Sequence, residues 1–172
     1  MIAPEFSRII DLRQIPPAPL TLTATETERA ALAARFGLVS VERLEARVSL
    51  CADGDTVTAS GRLDAAWVQA CAVSGEDLPQ RAQERLALRF VPSSTAPASE
   101  EEIELSDSDC DEIAYTGTTF DLGEAIAQSL ALAIDPFATG PNAERARKAA
   151  GIIEEGATGP FAALSALKLG KD

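Results

Sequence analysis

With 172 residues, 46% of them hydrophobic and 24% charged, the chain is long enough to bury one ordinary core without a metal or a disulfide. It carries a net charge of −12 and no histidine. That composition excludes a Ser-His-Asp triad, a Cys-His pair and an imidazole metal site, and it works against long-range attraction to nucleic acid.

The segment Phe6 to Leu12 reads as an edge strand, with Phe6, Ile10 and Leu12 on one parity, and Pro16-Pro17 breaks the chain after it. Leu20 and Leu22 start a short strand. Thr25 and Glu28 form a capping box, so a helix is expected from there to Phe36, with Leu32 and Phe36 facing the core and Gly37 as its stop. Val41 to Leu50 alternates: Leu44, Ala46, Val48 and Leu50 point inward, and Arg43, Glu45, Arg47 and Ser49 outward. Asp53-Gly54 signals a hairpin, and the return strand buries Val57, Ala59 and Leu63. Gly61 inside that strand points to a bulge or a close backbone approach. Trp67 to Val73 continues as strand, Ser74 to Asp77 turns the chain, and Leu86, Leu88 and Phe90 alternate as a further strand ended by Pro92.

Residues 93–112 read as a mobile acidic loop holding Glu100, Glu101, Glu102, Glu104, Asp107, Asp109, Asp111 and Glu112. Ile113 and Tyr115 make a short strand. Asp121 and Glu124 open a second helix with the stripe Leu122, Ile126, Leu130, Ala133, and Asp135-Pro136 ends it. The fold expected is α+β: a curled antiparallel β-sheet, a meander tending toward a partial barrel, packed with two α-helices. One domain would cover 1–137. A flexible tail would follow over 138–172, with a weak helix near Glu144 and a short terminal helix presenting Phe161, Leu164 and Leu167 on one face.

Cys51, Cys71 and Cys110 are an odd count with no CxxC, which favours a reducing compartment, and neither an N-terminal signal nor an apolar stretch of about 18 residues is visible. A cytoplasmic location is therefore expected, with no membrane partner. Cys71 reads as a small buried hydrophobe in an apolar strand, with no cationic neighbour to activate it. Arg43, Arg47, Arg62, Arg81, Arg85 and Arg89, six of the ten basic residues before the tail, all fall on the outward parity of their strands. They form a candidate face for RNA phosphates. The acidic loop at Glu100, Glu101 and Glu102 is a candidate surface for a basic protein. Phe161, Leu164 and Leu167 are candidate anchors for a partner's groove. A catalytic carboxylate pair is disfavoured, because the acids cluster where no fixed geometry holds them.

Several strings together resemble the large ribosomal RNA subunit accumulation protein (YceD-like) family, in its alphaproteobacterial branch. They are Pro4 to Arg8; Val68-Gln69-Ala70-Cys71-Ala72-Val73-Ser74-Gly75-Glu76-Asp77-Leu78; Phe120-Asp121-Leu122-Gly123-Glu124; Leu130 to Phe137 with Asp135-Pro136; and Pro160 to Lys168. The resemblance implies a non-enzymatic factor that supports accumulation or maturation of 23S rRNA by binding rRNA or an assembly intermediate. It implies no catalytic residue, cofactor or metal. The alternative is an acidic adaptor or chaperone for a basic ribosomal protein, without direct RNA contact. Many relatives carry a CxxC at the centre; here Ser74 stands at that distance from Cys71, so a zinc site is not carried over. Oligomeric state is not legible.

Overall fold

The computed structural model describes residues 4–93 and 111–151. The capping box at Thr25 forms: Glu28 N donates to Thr25 Oγ1 at 3.3 Å, and Thr25 N donates to Glu28 Oε2 at 2.8 Å. Two amides that helix geometry leaves unpaired are thereby satisfied. Helix α1, Glu26–Phe36, follows and ends at Gly37, whose φ of 65° sits where a side chain is disfavoured. Leu32 is fully buried, and Phe36 packs partly buried against the core.

The strands are β1 (Ile9–Asp11), β2 (Leu20–Thr23), β3 (Ser40–Asp53), β4 (Thr56–Ala70), β5 (Asp77–Pro92), β6 (Asp111–Tyr115) and β7 (Thr119–Asp121). Five of them form one open sheet in the order β2-β3-β4-β5-β6, and β1 and β7 pair antiparallel as a second, two-stranded sheet. The β3–β4 hairpin closes at Asp53↔Thr56, so its turn is Gly54-Asp55, one residue beyond the expected pair. Only the first of the two has positive φ, the pattern of a II′ turn.

Three expectations need correction. The main sheet is mixed, because β6 runs parallel to β5 from Leu88↔Asp111 to Pro92↔Tyr115. The stretch 94–110 is long enough for the dozen or so residues a parallel crossover requires. Asp111 and Glu112, expected in the acidic loop, belong to β6. The first strand covers only Ile9–Asp11, because Asp11 caps a 3₁₀ turn over Leu12–Gln14. Gly61 marks no bulge; the register shifts at Val41/Arg43 instead. Gly61 is a close approach: a Cβ there would stand 2.1 Å from the Arg47 carbonyl oxygen.

Helix α2 is Leu122–Ala133, with Leu122, Ile126 and Leu130 fully buried. A third helix, α3, covers Ala143–Ala149. The chain divides into two compact units. One comprises the residues up to Gln69 with Pro79–Asp135. The other comprises Ala70–Leu78 with the chain from Pro136.

In the first unit the core runs from Phe6 through Leu44, Val48, Val57 and Leu63 to Phe90 and α2. In the second, Ala72 N donates to Ala138 O at 3.0 Å and Asn142 Nδ2 to Glu76 Oε2 at 2.9 Å. Ala138 and Asn142 are thus hydrogen-bonded to the Ala70–Leu78 stretch of the same unit.

Candidate functional site

The sites marked in the sequence sort into two kinds. The first are side chains wired into the fold. Asp121 caps α2 by accepting from Glu124 N at 3.1 Å, and it also accepts from Arg8 N at 2.7 Å and Ser7 Oγ at 2.6 Å. Gly123 lies where the N-terminal segment crosses α2, and a Cβ there would be 2.4 Å from the Phe6 carbonyl oxygen. Glu124 takes two bonds from Arg35, at 2.9 and 2.7 Å, while Arg35 also holds Glu5 at 2.9 Å. Arg8 grips Glu28 through both terminal guanidinium nitrogens, at 2.6 and 3.0 Å, and lies 4.5 Å over the Phe6 ring.

That grip depresses the Glu28 carboxyl to about 2, chiefly by the Arg8 hydrogen bonds. Because the folded value lies below the ordinary 4.5, the stabilisation is present above pH 4.5 and is lost as pH falls through 2. The unfolding midpoints of wild type and Glu28→Gln are therefore expected to differ at pH 6 and to converge as the acid titration proceeds, checked by urea denaturation across that range.

Gln69, 5% exposed, is the one buried polar side chain among the described residues. Trp67 Nε1 donates to Gln69 Oε1 at 2.8 Å, and Gln69 Nε2 donates to Asp135 O at 2.7 Å. Two residues of the family-like strings, 66 positions apart, are thus joined by one bond that seals the end of α2.

Cys71 departs from expectation. It lies in the turn after β4, not in a strand, although it is buried. Its Sγ accepts from Ser74 N at 3.4 Å and Gly140 N at 3.3 Å. Hydrogen bonding from Ser74, then from the Gly140, Ser74 and Val73 amides, lowers the thiol to about 6. The missing cation is replaced by the Ser74 side chain first and by amide donors after it, of which only Gly140 lies far from Cys71 in the sequence. Pro136 begins the segment that carries Gly140.

The second kind is the outer face of the main sheet. All six arginines, Arg43, Arg47, Arg62, Arg81, Arg85 and Arg89, are exposed there. Three are engaged: Arg43 with Glu45 at 3.3 Å, Arg89 with Glu112 at 3.0 Å, and Arg62 with Gln83 at 2.8 Å, which in turn holds Asp64. Arg47, Arg81 and Arg85 have no acidic partner among the described residues. Arg47 stands directly opposite Arg62 in the β3–β4 register. Like charges set opposite each other destabilise a sheet, and here the next pair on the same face, Glu45 opposite Asp64, places an acid diagonally from each arginine. The candidate sites at Glu100, Glu101, Glu102, Phe161, Leu164 and Leu167 lie outside the described residues.

Among the described residues no helix is long and apolar enough to cross a membrane, and no group of His, Cys, Asp or Glu is placed to hold a metal ion. A family model described as "Large ribosomal RNA subunit accumulation protein YceD" matches residues 59–168. No curated protein and no solved structure matches the chain.

Proposed function

The chain belongs to the large ribosomal RNA subunit accumulation protein YceD family, and we propose that it supports large-subunit rRNA accumulation in the cytoplasm by binding, not by chemistry, with the outer arginine face in contact with RNA phosphates. The observation that carries this reading is the Arg47–Arg62 pair, exposed and in direct register, with Arg81 and Arg85 exposed on β5 and without an acidic partner among the described residues. Guanidinium groups held at fixed strand spacing suit phosphate oxygens, and bound phosphates would relieve the repulsion between them. Among the described residues the aromatic side chains of this sheet, Trp67, Phe90 and Tyr115, are buried, so the contact is to the backbone and is indifferent to base sequence. The net charge of −12 makes this a short-range interaction, confined within about 8 Å at physiological salt.

The test is titration of labelled large-subunit rRNA fragments with wild type and with Arg47→Glu, Arg62→Glu, Arg81→Glu and Arg85→Glu, at several salt concentrations. Each substitution is expected to lower the salt dependence of the binding constant by about one unit of log–log slope. Circular dichroism should not change, because the four side chains are exposed. Equal affinity of the quadruple variant and wild type would overturn the reading. Capture of a basic protein without RNA would favour the adaptor role instead.

A further inference from the structure

The parallel pairing of β6 covers only the Leu88–Pro92 end of β5. Along the preceding stretch, 79–87, β5 has β4 on one edge, and no described strand or loop pairs with the other. An unpaired strand edge is a template for an added strand. Beside it lies a groove of about 250 Å³, lined on the sheet side by Glu84, Leu86 and Leu88, on the helix side by Leu132 and Ala133, and at its end by Asp111. Leu132 is 81% exposed, the most exposed large apolar side chain among the described residues.

Glu84 breaks the pattern of its strand. It shares parity with Leu86 and Leu88, which are 2% and 4% exposed, yet it is itself exposed and has no basic partner among the described residues. A carboxylate on the core-facing side of an open edge selects what can pair there. A second copy of this chain pairing about Glu84 would bring two carboxylates together, on top of the repulsion between two bodies of net charge −12. A cationic strand meets the opposite situation, with Glu84 and Asp111 both on the groove.

We infer that this edge of β5 takes an extended segment of a partner protein as an added strand, with a Lys or Arg between Glu84 and Asp111, an apolar side chain against Leu132, and no basic side chain on its other face. The last condition follows from Arg81 and Arg85, which flank the same edge on the outer side. The partner is thus recognised by alternation: basic and apolar on one face, neutral or acidic on the other. The site is separate from the Arg47–Arg62 pair and stands whether or not that face meets RNA.

The test uses the full chain and two synthetic nine-residue peptides. One alternates lysine and valine on one face with threonine on the other; the second has glutamate in place of lysine. Wild type is expected to bind the lysine peptide about tenfold more tightly than the glutamate peptide, and Glu84→Lys to invert that preference. Amide exchange over 79–87 should slow only when the lysine peptide is bound. Equal binding of the two peptides by wild type, or an unchanged preference in Glu84→Lys, would overturn the inference. So would amides over 79–87 that are already protected in the free monomer, which would mean the chain covers its own edge. Protection that appears only with concentration-dependent self-association would give the edge to a second copy and equally overturn it.

Discussion

Phe90→Ala is expected to lower the free energy of unfolding by about 3–5 kcal/mol, the range for deleting a fully buried phenylalanine. Phe90 is 0% exposed, and its ring lies 4.1 Å from that of Phe120, centroid to centroid, at 27°. Phe90 sits on β5 opposite Ile113 of β6, and Phe120 on β7 opposite Ile10 of β1. One ring pair therefore ties the five-stranded sheet to the two-stranded one. Tyr115 extends the cluster, 6.3 Å from Phe120, and its hydroxyl donates to the Asp55 carbonyl oxygen. The stacked geometry adds about 0.5–1.5 kcal/mol beyond area burial. Phe120→Ala should cost a similar amount, and the double variant less than the two singles combined, because the side chains touch. Urea unfolding followed by circular dichroism measures all three. A loss under about 1 kcal/mol for Phe90→Ala would mean that the site collapses around the missing ring and that the two sheets are held together elsewhere.

The two largest helices and the inward faces of β3, β4 and β5 were legible in the sequence because their signals are local. Thr25 and Glu28 are three residues apart, as are Asp121 and Glu124, and the outward parity of the six arginines follows from strand alternation alone. What was not legible depends on partners far along the chain. Alternation states which side chains face inward, not the direction of the neighbouring strand, so the parallel β5–β6 pairing was hidden. The neutralisation of Arg89 was hidden with it, since Glu112 reaches it only across that pairing. Gln69 stood in the sequence only as part of a family-like string; its role became definite once the Asp135 carbonyl was found beside it. The low thiol value of Cys71 comes first from the nearby Ser74 side chain, and only its second contributor, Gly140, lies 69 positions away. Glu84 was available as a signal: it stands between Ala82 and Leu86 on the inward parity of its strand.

Asp121→Ala tests whether the Phe120–Glu124 string serves structure or function, and it is expected to cost about 2–4 kcal/mol. Losing the N-cap of α2 accounts for about 0.5–2 kcal/mol. The Arg8 amide, left without its 2.7 Å acceptor, adds about 1–3 kcal/mol. Ser7 loses its partner as well, but part-exposed it can turn to water. Asp121→Asn should recover part of the loss, because one amide oxygen still accepts from Glu124 N while the charge that favours a helix N-terminus is gone. The pattern of damage is as telling as its size. Asp121 joins the N-terminal segment to α2, and Gly123 leaves no room between them, so the amide of Arg8 should exchange faster before the main sheet opens. If rRNA binding by Asp121→Ala falls only in proportion to the unfolded fraction, the string is a structural clamp. If binding falls while the protein stays folded, the N-terminal segment that Asp121 positions belongs to the binding surface, and the arginine face is only part of it.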